Sequence, residues 1–476
     1  MMLEGTLVAM GGPAKPVKRR HAIVIGASIA GLCAARVLSE HFDRVTVYDR
    51  DRLPDAPAHR SAVPQDRHVH ILMARGAAEF EALFPGLLDD MVSAGVLKLE
   101  NRPDCIYFGA AGHVLGTGHT LRREFTAYVP SRKQLEWQIR SRAAALRNVR
   151  IARCDVDAPR FDGEAQRVTG VLLAGGDGPK FEEADLVVDA TGRGTRLPAW
   201  LEQWGYARPP EETVDVGISY ATQQLRIPDG LLAEKVVVAG ASRTEPVGLG
   251  MLCYEDRTWA LTTFTVRGVA PPKDFAEIRA VASAILPPNH AAAIAAAEPL
   301  GEVAFHRYPA SRWRRYDKLR RFPAGIVPVG DSVASFNPTY GQGMTMSSIQ
   351  AGHLRRVLGS GTTELAGEFN RATAATTYPV WTMNAIGDLT LHGASGRGPW
   401  WYRPVGSLFD QFLGAAETDP VLAEWFLRRF SLLDSLYMVP PPSIVGRTVR
   451  HNMRLWWAQQ RPARAPARDR DPVPGR

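Results

Sequence analysis

Short apolar runs flank a helical repeat near the start of the chain. Residues 21–25 (HAIVI) are apolar after His21, which predicts a buried parallel strand. Residues 30–41 have the spacing of a helix, and 44–48 (RVTVY) predict a second strand. A strand, a helix and a strand in so short a segment indicate a βαβ unit. The polar stretch at 50–70, rich in Pro, Arg and His, predicts a loop after it.

Two further helices are predicted before the middle of the chain. Residues 75–97 form an amphipathic pattern that is broken at Pro85 and Gly86, because these residue types interrupt helices. Residues 131–147 predict a helix with Ser131 as its N-cap, since a serine hydroxyl can accept a bond from a free helical N–H. Short strands are predicted near 149–154, 167–174 and 185–190.

The middle of the chain changes character. Apolar and polar residues alternate through 212–325, which predicts an antiparallel sheet, with a helical insert at 274–297. Residues 325–330 (GIVPVG) return to the parallel-strand pattern, and a long helix is predicted from near Gly341. Residues 365–457 have a helical pattern and are rich in tryptophan. The inward positions of the antiparallel sheet are apolar and predict core, with some facing a pocket: Val216, Ile218, Leu249, Met251, Leu261 and Phe264.

Together these elements predict an α/β fold for the parallel part of the chain and an α+β class for the chain as a whole, because of the antiparallel sheet. A doubly wound domain is interrupted by an antiparallel sheet and followed by a C-terminal helical region. The net charge of the 476-residue chain is +8, but residues 1–20 and 461–476 each contribute +3. Both segments are rich in Pro or Gly, so we expect disordered basic tails at residues 1–20 and 459–476. The middle is nearly neutral, which argues against a nucleic-acid partner.

Other composition signals exclude several classes of protein. The four cysteines have no paired or metal-ligand spacing, which is typical of free thiols in a reducing cytoplasm. The apolar stretch after Arg20 contains glycines and reads as strand, turn and helix, so we expect neither a signal peptide nor a membrane span. The aromatic C-terminal helices would allow at most peripheral membrane contact. His68 and His70 lack a third ligand, so no metal site is expected.

A glycine-rich turn lies between the first predicted strand and helix. Gly26 permits the tight turn, and Gly31 lets the helix approach the strand closely. Ser28 takes the place of the usual middle glycine and keeps a small side chain there. The helix N-terminus offers free N–H groups to a pyrophosphate. Asp49, at the end of the second strand, can accept hydrogen bonds from a ribose diol, so the segment predicts a dinucleotide site.

A second motif, GIVPVGDSVASFNPTYGQGM, covers residues 325–344. Its strand delivers Asp331 to the carboxyl edge of the sheet, where open α/β sheets bind ligands. Asp331 can hold a polyol such as ribitol. Pro338 stiffens the approach, and Gly341, Gln342 and Gly343 open a helix whose bare N–H groups favour an anion.

These motifs, with DATG at 189–192, resemble the three FAD signatures of the flavoprotein hydroxylases related to p-hydroxybenzoate hydroxylase and squalene epoxidase. The match runs from about residue 21 to 355. A closer resemblance is to the polyene epoxidases of polyether biosynthesis, such as the lasalocid and monensin epoxidases. It rests on four segments: VPQDRHVHILMARG (63–76), SRKQLEW (131–137), LVVDATGRGTRLPAWLEQWG (186–205) and RRYDKLRRFPAGIVPVGDSVASFNPTYGQGM (314–344).

The resemblance implies a division of the chain and a set of contacts. The FAD-binding domain would comprise 21–75, 125–205 and 320–364, the substrate-binding domain 76–124 and 206–319, and a helical cap 365–458. The glycine turn would hold the pyrophosphate, Asp49 the adenosine ribose, Arg132 the phosphate or ribityl region and Asp331 the ribitol. Gly341 and Gly343 would lie beside the flavin ring.

The implied reaction is the insertion of one oxygen atom from O2 into a hydrophobic substrate through a flavin C4a-hydroperoxide, by alkene epoxidation or aromatic hydroxylation. Arg67, His68 and His70 would line the flavin's channel or donate to the hydroperoxide, or simply form a packed loop. Many single-component hydroxylases have Asp-Gly where this chain has Thr191 and Gly192. NAD(P)H would therefore act directly or through a separate flavin reductase.

Two alternatives remain open at this point. A flavin-dependent reductase of isoprenoid double bonds would share the same fold, so fold alone cannot separate it from a monooxygenase. A non-enzymatic flavoprotein is the other alternative. A halogenase is disfavoured because the sequence contains no Trp-x-Trp-x-Ile-Pro segment.

Overall fold

The structure, a computed structural model, describes residues 19–60, 63–119, 121–175, 178–398 and 400–459. The tails expected at 1–20 and 459–476 lie outside these residues, apart from Arg19 and Arg20, which begin the first strand, and Gln459, which ends the last helix. The four cysteines are free thiols, as the sequence predicts.

The strands, in chain order, are β1 (Arg19–Ile25), β2 (Phe42–Asp49), β3 (Leu97–Glu100), β4 (Ile106–Ala110), β5 (His113–Val114), β6 (Thr126–Val129), β7 (Val149–Arg153), β8 (Val156–Asp162), β9 (Arg167–Leu173), β10 (Lys180–Glu183), β11 (Leu186–Asp189), β12 (Glu211–Arg226), β13 (Val236–Ala239), β14 (Val247–Cys253), β15 (Trp259–Thr265), β16 (Glu298–Arg314), β17 (Ile326–Pro328), β18 (Ala334–Ser335) and β19 (Ser395–Gly396).

The helices are α1 (Ile29–Leu38), α2 (Ala74–Leu83), α3 (Leu87–Ser93), α4 (Arg132–Ala144), α5 (Leu197–Gln203), α6 (Phe275–Ile285), α7 (Pro288–Ala295), α8 (Gly343–Gly359), α9 (Leu365–Thr390), α10 (Tyr402–Ala416), α11 (Pro420–Phe430) and α12 (Pro442–Gln459). The predicted cap is present, because the Ser131 hydroxyl accepts the Gln134 N–H at the start of α4.

A five-stranded parallel sheet has the order β17-β11-β1-β2-β7. Side chains of β1 alternate between two cores, with Ala22 and Val24 on one side and Ile23 and Ile25 on the other. Helices α1, α4 and α8 cover the first face, and α5 with part of the large sheet covers the second. Burial on both faces explains why residues 22–25 of the strand are all apolar. The doubly wound α/β fold predicted from the sequence is confirmed.

The large sheet has the order β18-β16-β12-β15-β14-β13-β4-β5, and β19 pairs with β12. It is antiparallel except between β13 and β4. Helices α6 and α7 pack on one face through Ile278 and Ile294. The C-terminal helices pack against its β4 end, where Phe108 contacts Phe426 and Phe430 at ring-centroid distances of 5.7 and 5.1 Å. None of the described helices is long and apolar enough to cross a bilayer.

A three-stranded antiparallel sheet, β10-β9-β8, contains two strands that the sequence pattern does not predict. The segment of β8 (VDAPRFD) contains Pro159 and three charged residues, and β10 (KFEE) is four residues long with one apolar position. Neither shows a strand's hydrophobic alternation, because this sheet lies at the surface. Its pairing partner β9 is the one strand predicted there.

Candidate functional site

A cleft lies at the carboxyl ends of β1, β2, β11 and β17, with a cavity volume of about 1730 Å³. Ligand pockets for ordinary small molecules measure roughly 300–1,000 Å³, so the cleft has room for a large ligand and a second molecule. It is lined by most of the site residues that the sequence predicts: Gly26, Ser28, Asp49, His68, His70, Arg132, Asp331, Pro338, Gly341, Gln342 and Gly343.

The first glycine turn connects β1 to α1 in a conformation that larger residues cannot adopt. Gly26 has φ +107°, and a β-carbon there would lie 2.5 Å from the Ala190 carbonyl oxygen. Gly31 does not line the cleft. A β-carbon on it would lie 1.9 Å from the Gly26 carbonyl oxygen, so it allows α1 to pack against the turn. Ser28 is the N-cap of α1 but makes no side-chain cap bond, so this helix end keeps unpaired N–H groups toward the cleft.

The DATG segment braces the turn from β11. The Ala190 N–H donates to the Ile25 carbonyl at 2.9 Å. Asp189 is fully buried, and its Oδ1 accepts the Thr191 N–H at 3.0 Å and the Thr191 hydroxyl at 2.5 Å. The Thr191 hydroxyl therefore uses its hydrogen bond within its own turn.

The second motif reaches the cleft beside the first. Gly330 has φ +63° and donates its N–H to Gln350 Oε1 at 2.6 Å. Partly buried Asp331 lines the cleft, and loss of solvent raises the pKa of its carboxyl, an effect that Arg193 and Arg132 oppose. A carboxylate in this setting is well placed to accept hydrogen bonds from ligand hydroxyl groups.

The N-terminus of α8 opens onto the cleft. Gly341 has φ +66°, and a β-carbon on it would lie 3.0 Å from Met73 Cε. Gln342, the N-cap, makes no side-chain cap bond, and its buried Oε1 has no partner among the described residues. A β-carbon on Gly343 would meet nothing within 4 Å. The helix therefore presents free N–H groups and partial positive charge toward open space.

A buried ion network supports the end of the cleft formed by the first glycine turn, and its central residue, Arg60, is absent from the sequence prediction. Arg60 donates to Asp49 Oδ2 at 3.0 Å and to Glu136 Oε1 at 2.6 Å. Burial would raise the pKa of Glu136, but Arg132 and Arg60 lower it. Arg132 Nη2 also donates to Ser28 Oγ at 2.9 Å, while its buried Nε has no partner among the described residues. The network ties the loop and α4 to the glycine turn.

His68 lies on the wall formed by the large sheet. Its Nδ1 is 2.7 Å from Thr222 Oγ1, and Thr222 Oγ1 is 2.6 Å from Thr262 Oγ1. Its Nε2 is buried with no partner among the described residues. Burial, reinforced by nearby His306, lowers the pKa of His68 to about 3. A neutral imidazole therefore faces the cleft at physiological pH.

His70 also lines the cleft, whereas Arg67 does not. His70 Nδ1 is 2.8 Å from the His68 carbonyl oxygen, and burial, reinforced by Arg132, lowers its pKa to about 4. Arg67 ends a short 3₁₀ helix, Pro64–Arg67, with an exposed side chain. The structure therefore places two of the three predicted loop residues at the site.

Three further aromatic residues that line the cleft, Tyr220, His306 and Tyr308, are absent from the sequence prediction. Tyr220 and His306 each lie 5.6 Å from the His68 ring, between centroids. The buried Tyr220 hydroxyl has no partner among the described residues. Tyr308 donates its hydroxyl to the Ser335 carbonyl at 3.0 Å, and Arg193 Cζ lies 4.4 Å from the centre of its ring. His306 and Tyr308 are two residues apart on β16 and therefore share a face of the sheet, whereas Tyr220 lies on β12. This two-residue spacing is the only sequence signal that could have grouped any of them.

Apolar side chains form the remaining walls. All six inward positions predicted for the large sheet are buried. Ile218, Leu249 and Phe264 line the cleft, whereas the other three belong to the core. The C-terminal helices and the segment between α11 and α12 cover the cleft with Val380, Ile386, Phe409, Phe426, Phe430, Leu432, Leu436 and Met438. No group of three or more potential metal ligands occurs within the described part of the chain.

Sequence comparison identifies the family. The chain is 67% identical over 461 residues to Protein Rv3254 of Mycobacterium tuberculosis, covering 94% of this chain and 97% of that one. The chain belongs to the Rv3254 family. A family model, the Mycobacterium Rv3254 C-terminal domain, matches residues 396–462 of this Rv3254-family protein, which include α10, α11 and α12.

Solved structures share the fold of this Rv3254-family protein at low sequence identity. The flavin-dependent brominase Bmp2 has a TM-score of 0.62 at 13% identity, covering 91% of this chain and 100% of that one. The p-nitrophenol 4-monooxygenase PnpA of Pseudomonas putida has a TM-score of 0.61 at 15% identity, covering 88% and 99%. PqsL of Pseudomonas aeruginosa, a probable FAD-dependent monooxygenase, has a TM-score of 0.57 at 17% identity, covering 82% and 100%. The fold is thus one used by flavin-dependent monooxygenases and halogenases.

Proposed function

We propose that this Rv3254-family protein binds FAD in the cleft and acts as a monooxygenase on a hydrophobic substrate. One observation carries the proposal: Gly26 and Asp331, from motifs at opposite ends of the α/β domain sequence, line the same continuous cleft. An extended dinucleotide needs an anion site at one end and a polyol acceptor further along, and in this proposal Gly26 and Asp331 would contribute to these two sites.

The polar groups of the cleft match the polar parts of FAD. The uncapped N-terminus of α1 would bind the pyrophosphate, with Arg132 beside it. Asp49, held by Arg60, would accept from the adenosine ribose, and Asp331 from the ribitol. The open space at Gly343 and the uncapped start of α8 would receive the polar edge of the flavin ring. When bound, FAD would supply the activation of O2 and the transfer of one oxygen atom.

The chain's own groups would position the substrate and keep water out. The apolar wall, including Ile218 and Phe264, favours a hydrophobic substrate, for alkene epoxidation or aromatic hydroxylation. Resemblance to the polyene epoxidases favours epoxidation. Because His68 is neutral, its Nε2 would orient a substrate oxygen or a reacting oxygen by a hydrogen bond rather than by charge. The Thr222–Thr262 pair would fix the ring and its tautomer.

FAD binding is tested by purifying the chain and measuring its absorbance spectrum and flavin content. We expect stoichiometric FAD released on denaturation. Asp331→Asn should weaken FAD binding at least tenfold, because a carboxylate acceptor for ribitol is lost. Asp229→Asn, which removes a highly exposed carboxylate elsewhere, is the matched control and should leave affinity unchanged. Colourless protein that fails to take up added FAD would overturn the proposal.

The reaction is tested with a panel of hydrophobic alkenes and phenols under ¹⁸O2. A monooxygenase incorporates one labelled atom in the product. An isoprenoid reductase gives a saturated product without label, and a non-enzymatic flavoprotein releases peroxide without converting any substrate. Flavin bleaching with NADPH, with NADH, or with a flavin reductase added then identifies the electron donor. Because the Thr191 hydroxyl donates its hydrogen bond to Asp189, it is not free to bind NADPH. We therefore propose that a separate flavin reductase supplies the electrons.

A further inference from the structure

Helix α12 carries an apolar stripe that nothing in the described chain covers. Val445, Val449, Met453, Trp456 and Trp457 are each between 46% and 59% exposed. Their spacings of four, four, three and one place them on one side of a helix, within about 120° of its circumference. Soluble proteins commonly expose single apolar side chains, but a continuous stripe of this size marks an interaction surface.

Residues outside the stripe anchor α12 to the protein as far as Asn452, beyond which Leu455 is also 49% exposed, so the stripe faces outward. Ile444 is 5% exposed and belongs to the core of the C-terminal helices. Arg447 donates to Asp419 at 2.8 Å, and Asn452 donates to Gln411 of α10 at 3.4 Å. These contacts hold α12 on α10 and α11 and leave the stripe free.

Charge indicates what kind of surface the stripe fits. Residues 435–468, which include α12, contain six arginines and neither Asp nor Glu. Arg450 and Arg454 lie beside the stripe, and neither forms an ion pair with a described residue. An amphipathic helix with arginines along its polar side and tryptophans on its apolar side is suited to the interface of an anionic bilayer.

We propose that α12 docks this protein on an anionic lipid surface, with the stripe inserted at the headgroup boundary. A second copy of the chain fits the charge less well, because a two-fold interface would bring the arginine-rich segments of both copies together. The docking has a functional consequence. Leu436 and Met438, which immediately precede α12, line the cleft. Docking would thus hold one edge of the cleft near the lipid, where a hydrophobic substrate concentrates.

The test is co-sedimentation of the full-length protein with vesicles of phosphatidylglycerol and phosphatidylcholine in equal parts. We expect binding to these vesicles, at least tenfold weaker binding to pure phosphatidylcholine, and further loss as salt is raised. Met453→Glu should lower affinity at least tenfold. Leu231→Glu adds the same charge at an exposed leucine on a different surface and should have no effect. Arg450→Glu should lower affinity more than Lys180→Glu, which reverses an exposed charge on β10.

Each alternative gives a distinct result. Equal sedimentation of the Met453→Glu and Leu231→Glu variants would overturn the proposal. So would a dimer in sedimentation velocity that Met453→Glu dissociates while vesicles fail to bind, because a second copy would then cover the stripe. Failure of the full chain to bind, with binding gained on deletion of residues 1–18, would assign the stripe to the N-terminal segment instead. Flavin absorbance of the soluble fraction reports folding and cofactor content independently of docking.

Discussion

Gly330 and Ala30 stand in direct contact although 300 residues separate them: a β-carbon on Gly330 would lie 2.6 Å from Cβ of Ala30. Ala30 belongs to the first turn of α1, and Gly330 precedes Asp331. The contact joins the two halves of the cleft, and it permits no side chain at position 330.

Gly330→Ala should therefore destabilise the protein by about 2–4 kcal/mol, from the left-handed backbone and the clash together. Denaturant unfolding measures it, and FAD retention should fall as well. Gly359→Ala, at the far end of α8 with nothing within 4 Å of the added carbon, is the control. It should be neutral or stabilising by up to about 1 kcal/mol. Equal unfolding midpoints for both variants would contradict the close packing.

Arg60→Ala should cost about 3–5 kcal/mol, because it leaves the buried carboxylates of Asp49 and Glu136 without a cation that they share. Arg355→Ala, which breaks a half-exposed pair with Glu40, should cost about 0–1 kcal/mol. Combining Arg60→Ala with Glu136→Gln should recover part of the loss. A similar cost for the two single variants would show that the network is solvated.

Stability should fall in mild acid because of His68. Its pKa is lowered to about 3 in the folded protein, whereas an unfolded histidine titrates near 6.5. Between pH 6.5 and pH 3, His68 is protonated in the unfolded chain but neutral in the folded protein, so the free energy of unfolding falls as the pH falls. At pH 5 this residue should lower it by about 2 kcal/mol. His68→Asn should flatten the fall in stability between pH 7 and 5. An unchanged slope in the variant would mean that His68 is protonated in the folded state.

Tyr220 and Tyr308 should respond oppositely to loss of their hydroxyl groups. Tyr220→Phe removes a buried hydroxyl that has no partner among the described residues, so the free energy of unfolding should stay the same or rise by about 1 kcal/mol. Tyr308→Phe removes the hydrogen bond to the Ser335 carbonyl, so the free energy of unfolding should fall by about 1 kcal/mol. If Tyr220 binds a substrate oxygen, kcat/KM should fall about tenfold in the more stable variant. A destabilised Tyr220→Phe variant would show that the hydroxyl has a structural partner.

Much of the fold is predictable because its signals are local. The apolar run of β1, the glycine turn and Asp49 lie within 30 residues and predict their unit correctly. The same holds for the helix break at Pro85 and Gly86 and for the cap at Ser131.

The missed features depend on partners far apart in sequence. Arg60 is one of several arginines in a polar loop, and only folding brings it to Glu136, 76 residues away. Tyr220 and His306 meet because β12 and β16 pair, and their register cannot be read from either strand alone. The exposed β8 and β10 lack an apolar face, so their pairing leaves no periodic signal.

The C-terminal helical region that covers the cleft has a consequence for how the protein matures in the cell. All three glycine- and aspartate-bearing motifs have been synthesised once residue 344 is added, but Phe430 and Leu436, which help to close the cavity, are added almost a hundred residues later. Each nascent chain therefore passes through a stage in which it contains these motifs and lacks the residues that cover the cleft. Cofactor entry at that stage avoids the enclosed route that a finished molecule would impose.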